Sequence, residues 1–163
     1  MGKSLNPAPH AGFNNFYSDK IAYLYGEQNL MSAYHILIVD DDEDDHLFIK
    51  TAIRNVIPSA AVKSLFDGAE LSADRRGAPQ TPSLIFLDLN MRMEDGKTTL
   101  QNIKKDNSLK RVPVIILTTS TDPNEKEKCM NLGADDFFVK PYTESDLSNI
   151  IKQVSRKWLE AEA

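Results

Sequence analysis

From His35 onward, short uninterrupted apolar runs alternate with helical periodicities. Ile36-Leu-Ile-Val39, Leu84-Ile-Phe-Leu87 and Val112 to Leu117 are apolar at almost every position, without the in-out alternation of a half-exposed strand. Runs of that kind suit strands buried on both faces, which belong to parallel sheets covered by helices. After the first run, Ile49, Ala52, Ile53 and Val56 recur at helical spacing until Pro58, whose ring cannot continue a helix. Ala61 to Phe66 reads as a second strand, Asp67-Gly68 as a turn, and Ala69 to Arg76 as a short helix stopped by Gly77. Lys97 to Asn107 predicts a helix with Leu100 and Ile103 inward. Asp122-Pro-Asn-Glu125 predicts the next: an N-cap acid, proline at the first helical position, and a glutamate set to close a capping box. That helix runs to Leu132, and Gly133 supplies its left-handed stop. Phe137 to Val139 is a short fifth strand, and Thr143 caps a last helix with Leu147, Ile150, Ile151, Val154 and Trp158 on one face. Five strands alternating with five helices predict an α/β fold, a doubly wound parallel sheet with right-handed crossovers.

Composition narrows the function. The 163 residues suffice for one well-buried domain and are too few for two ordinary ones. With 19 Lys and Arg against 24 Asp and Glu, the net charge of −5 speaks against non-specific nucleic-acid or membrane-surface binding and for a cation or a basic partner. The single cysteine, Cys129, cannot make an internal disulfide, and no signal-like or membrane-spanning run is present. A cytoplasmic protein is therefore expected. Residues 1–34 differ in composition, and their charges cancel, which leaves the acidic character to the remainder. They read as an N-terminal extension, either a leader or the product of a misplaced start with Met31 as the natural one, and Tyr17 to Met31 has the pattern of a helix.

The candidate chemistry lies where the strands end. Asp40-Asp-Asp-Glu-Asp-Asp45 follows the first strand without a break, Asp88 follows the third, Thr118 the fourth and Lys140 the fifth. In open α/β sheets ligands bind at this edge. Crowded carboxylates repel one another, so they call for a cation, a nearby ammonium group or raised pKa values. Asp40, Asp41 and Asp88 around one point suit Mg²⁺, which accepts a few carboxylates and keeps several waters. An EF-hand is excluded, because neither its sixth-position glycine nor its twelfth-position glutamate occurs. A carboxylate beside Mg²⁺, a lysine and a hydroxyl is also an arrangement for phosphoryl transfer. Asp42, Glu43, Asp44 and Asp45 read as a solvated acidic helix start.

Ile36-Leu-Ile-Val-Asp-Asp41, Leu84 to Met91 with Asp95-Gly96, Pro113-Val-Ile-Ile-Leu-Thr118 and Gly133 to Pro141 resemble the successive blocks of a two-component response regulator receiver domain. The match covers about residues 35–160. It is most similar to stand-alone receivers of the chemotaxis-regulator and phytochrome-associated types. The resemblance implies a flavodoxin-like sheet of strand order 2-1-3-4-5, with Asp88 as phosphoacceptor. It implies Mg²⁺ held by Asp41, Asp88 and the Asn90 carbonyl, and by Asp40 through water. Lys140 would pair with Asp88 and then with a phosphoryl oxygen, across a bond to Pro141 like one the family keeps cis. Thr118 would draw its loop onto the phosphoryl group and Phe137 would rotate as an aromatic switch. Its partners would be a histidine kinase or phosphotransfer protein and a downstream protein target, with no nucleic acid or membrane and with homodimerisation open. The chain would be no enzyme beyond phosphorylating and dephosphorylating itself. Arg92 and Glu94 depart from the family pattern, standing where proline and methionine are usual. That implies a looser loop, weaker metal binding, or a contact with a partner. Two rivals remain: an Mg²⁺-dependent phosphohydrolase with an aspartate nucleophile, and an unphosphorylated interaction or dimerisation module.

Overall fold

The computed structural model describes residues 34–77 and 80–160, so the expectations for residues 1–33 lie outside the described residues. The described chain runs β1 (Tyr34–Val39), α1 (Glu43–Val56), β2 (Ala60–Leu65), α2 (Gly68–Gly77), β3 (Leu84–Leu87), α3 (Gly96–Lys105), β4 (Val114–Thr118), α4 (Pro123–Asn131), β5 (Asp136–Val139) and α5 (Glu144–Trp158). All neighbouring strands are parallel, in the order β2-β1-β3-β4-β5.

The unbroken apolar runs are strands because each successive side chain enters a different core. Leu37 and Val39, Ile85 and Leu87, and Val114 and Ile116 face one cluster, with Leu71 of α2, Leu100 and Ile103 of α3 and Cys129 of α4. Ile36 and Ile38, Leu84 and Phe86, and Ile115 and Leu117 face the other, with Ile49 and Ile53 of α1 and Leu147, Ile151 and Val154 of α5. Helices on both faces bury the apolar runs Ile36–Val39, Leu84–Leu87 and Val114–Leu117, which is what a parallel sheet requires.

The helix signals hold with small corrections. Asp42 caps α1 by accepting the amide hydrogens of Asp44 and Asp45, Asp95 caps α3, and Thr143 caps α5 through the Asp146 N–H. Gly133 is left-handed, with φ of 100°. The capping box at α4 is not made: Asp122 accepts from the Asn124 N–H, while the Glu125 carboxylate takes the Lys97 ammonium at 2.8 Å. A lysine offers a charge-assisted bond that outweighs a return bond to a backbone amide. No described peptide bond is cis, so the Lys140–Pro141 bond is trans. Among the described residues, no helix is long and apolar enough to cross a membrane.

Candidate functional site

Main-chain hydrogen bonds carry the strand ends past the ladder and hold them in register. The Asp88 N–H donates to the Val39 carbonyl at 2.9 Å, Asp40 N–H to Leu65 at 3.1 Å, and Lys140 N–H to Thr118 at 2.7 Å. Asp40, Asp88, Thr118 and Lys140 therefore emerge at one edge, and all four side chains are largely shielded from water. The side chain of buried His46 secures this edge from below. Its Nε2 lies 2.8 Å from the Asp40 carbonyl oxygen, which can only accept, so this nitrogen carries the hydrogen; Nδ1 faces the Ser64 hydroxyl at 2.8 Å.

Asp40, Asp41 and Asp88 each present a carboxylate oxygen within 4.8 Å of the others. Asp88 Oδ2 accepts the Asn90 N–H at 3.2 Å, while Oδ1 is buried without a hydrogen-bond partner. An all-oxygen donor set that includes an orphaned buried oxygen fits a hard divalent cation. The Asn90 side-chain amide donates to the hydroxyls of Thr118 at 3.4 Å and Thr119 at 3.2 Å, tying the loop after β3 to the end of β4.

Lys140 is placed differently from the simple pairing with Asp88. Its ammonium sits 2.6 Å from Asp45, 2.7 Å from Asp40 and 3.6 Å from Asp88 Oδ1. Asp45 is thus no solvated helix-start acid. It lies on the same stripe of α1 as Ile49 and Ile53, spaced by four residues, and that position points it at the sheet edge. Arg92 makes its contact within the chain, at the acidic cluster: its Nε donates to Asp41 Oδ2 at 2.8 Å and its backbone N–H to the same oxygen at 3.0 Å. Glu94 likewise makes contacts within the chain, accepting from Asn102 at 3.4 Å. Phe137 is buried in the apolar cluster that also holds Leu100, Ile103 and Cys129.

These surroundings set the acidities. Burial raises the Asp88 pKa against the opposing pull of the Lys140 ammonium, the Thr118 hydroxyl and the Leu89 and Asn90 amides. Burial raises Asp40 as well, against its bond to Lys140. Asp41 moves the other way, held down by its backbone and side-chain bonds from Arg92. Burial alone would lower Lys140, but the bonds to Asp40 and Asp45 outweigh it and the net shift is upward. With their folded pKa values raised, Asp40 and Asp88 contribute stability that is full below the usual carboxylate range and is lost as pH rises through the raised values. Asp88→Asn, which removes one of these charges, is expected to stabilise the metal-free protein at neutral pH by about 1 kcal/mol, or about 2–5 °C in Tm. The gain should shrink as the pH is lowered toward the acid range, and calorimetric scans across pH check it.

A doubly wound sheet of this strand order, with an acidic pocket and a lysine at its C-terminal edge, defines the class of flavodoxin-like signal receivers. The response regulator receiver domain model matches residues 36–152, and the chain belongs to that family. The two-component response regulator ORR11 of Oryza sativa subsp. indica is 30% identical over 120 residues, covering 74% of this chain and 80% of that protein. The phosphorylated cyanobacterial phytochrome response regulator RcpA is 32% identical with a TM-score of 0.71, over 78% of this chain and 95% of that one. The receiver domain of the sensor histidine kinase PA1611 from Pseudomonas aeruginosa, which has a magnesium ion coordinated in its active-site cleft, is 25% identical with a TM-score of 0.62, over 78% and 98%. The chain is thus a receiver domain of two-component signalling, as the four sequence blocks implied.

Proposed function

We propose that Asp88 is the phosphoacceptor of this receiver, working with Mg²⁺ held by Asp41, Asp88 and the Asn90 carbonyl, and by Asp40 through water. The observation that carries the reading is the buried Asp88 carboxylate, with one oxygen lacking any hydrogen bond and Lys140 at 3.6 Å. When bound, the cation supplies positive charge for the phosphoryl oxygens. An Asp88 oxygen attacks phosphorus in line, the bond to the donor breaks with its electron pair leaving on the donor, and an acyl phosphate results. Lys140 moves from Asp40 and Asp45 toward a phosphoryl oxygen, a short step for a flexible side chain already 3.6 Å from Asp88. Thr118, already linked to the β3 loop through Asn90, donates its hydroxyl to the new group. The shift of its loop lets Phe137 turn into the space it leaves, and two packings of this edge exchange population.

Histidine kinases or phosphotransfer proteins are the partners of receiver domains, and such a donor is the one we assign to this chain. The phosphorylated face then binds a downstream protein, in the cytoplasm, with no catalysis beyond forming and losing the acyl phosphate. Incubation with Mg²⁺ and acetyl phosphate tests the reading by intact mass. A hydroxylamine-sensitive phosphoprotein is expected for the native chain and none for Asp88→Asn. Turnover of many phosphate esters without a stable adduct would make the protein a phosphohydrolase, and no modification would make it a binding module.

A further inference from the structure

Of the three clustered carboxylates, Asp41 is the most exposed, and it is Arg92 that holds it. Its Oδ2 accepts both the Arg92 Nε–H and the Arg92 backbone N–H, and the Arg92 Nη2 reaches the Asp41 carbonyl at 3.4 Å. Two donors occupy the lone pairs of Oδ2, and the guanidinium sets a positive charge against the carboxylate that an arriving cation must also approach. The Arg92 side chain is 84% exposed, so its guanidinium can leave at the small cost of a surface ion pair. The charges around it show what it does. Among the described residues, Asp40, Asp41, Asp45 and Asp88 are paired with Lys140 and Arg92 alone, and Lys140 is already committed to Asp40 and Asp45. Without Arg92, the Asp41 carboxylate would face Asp40 and Asp88 with no cation of its own.

We propose that Arg92 is a built-in competitor for the divalent cation: its guanidinium holds Asp41 in the metal-free protein and is released when Mg²⁺ binds. This rests on Asp41 being a metal ligand. Each binding event then includes breaking the Arg92–Asp41 contact, and the apparent affinity is lowered by the fraction of molecules in which the contact is closed. The loop from Asp88 to Gly96 carries both Arg92 and the phosphoacceptor, so metal binding is coupled to a rearrangement of that loop.

Calorimetric titration of the full chain with MgCl₂ tests the proposal. Arg92→Ala is expected to bind Mg²⁺ roughly two- to fivefold more tightly than the native chain, with Arg92→Lys in between because it keeps the charge and loses the fork. Arginine Nε–H resonances of the native protein supply a second readout: the Arg92 signal, slowed in hydrogen exchange without metal, should move to a solvent-exposed position as Mg²⁺ is added. Equal or weaker binding by Arg92→Ala, or an Arg92 signal indifferent to Mg²⁺, would overturn the competition and leave the site intact. Absence of Mg²⁺ binding by both the native chain and Arg92→Ala would overturn the metal site itself.

Discussion

Replacing Lys140 with methionine is expected to cost the metal-free protein about 3 kcal/mol at neutral pH, the range for breaking a buried ion pair by removing one partner. The Lys140 side chain is 10% exposed, and its ammonium compensates Asp40, Asp45 and Asp88 together, the first and last of which have almost no access to water. A neutral side chain of similar length fills the space but leaves those carboxylates to face one another. Both pH and metal should reverse the loss. Protonation of Asp40 and Asp88, whose folded pKa values are raised, removes the uncompensated charge as the pH falls. Saturating Mg²⁺ replaces the missing cation. Urea unfolding of native and variant protein across pH, with and without Mg²⁺, checks this. A deficit at neutral pH that neither acid nor metal reduces would mean that the lysine contributes packing alone.

Gly96→Ala should cost at least as much, for a different reason. A Cβ at this buried position would fall inside contact distance of the Asp88 carbonyl oxygen and the Leu89 Cα, which are backbone atoms at the end of β3. The Gly96 N–H also donates to the Leu89 carbonyl at 3.0 Å, so the start of α3 is pinned to the segment that presents Asp88. Relief requires moving either the helix or that segment. A loss of about 3 kcal/mol is expected, together with slower phosphorylation. Gly68→Ala is the contrasting case. There the new Cβ would meet the Glu94 carboxylate and the Thr99 hydroxyl, which are side-chain groups that can turn away, so a smaller loss is expected. Thermal unfolding of the two variants side by side decides whether backbone crowding or mere bulk sets the cost.

The sheet was legible because its central strands are apolar on both faces; β3 falls on Leu84–Leu87 as predicted. β4 begins two residues later than its apolar run, since the N–H of Val112 is spent in a turn to Leu109 and Pro113 has none to give. The main site residues were legible because each ends a strand, so one topology brings Asp40, Asp88, Thr118 and Lys140 together. The choice of ionic partners was not. Lys140 reaches Asp45 across 95 positions, Arg92 reaches Asp41 across 51, and Glu125 leaves its own helix cap for Lys97. Such choices depend on where elements far apart in sequence come to rest. Only Asp45 left a signal, as the acid in line with the apolar stripe of α1.

The central claim is that these strand ends make one carboxylate, that of Asp88, the acceptor of a phosphoryl group. Borohydride reduction of protein treated with acetyl phosphate and Mg²⁺ converts an aspartyl phosphate to homoserine, which peptide mass mapping locates. Homoserine at position 88 alone, and only when Mg²⁺ is present, is the predicted result. Homoserine at 40 or 41, or formation at 88 regardless of metal, would contradict it.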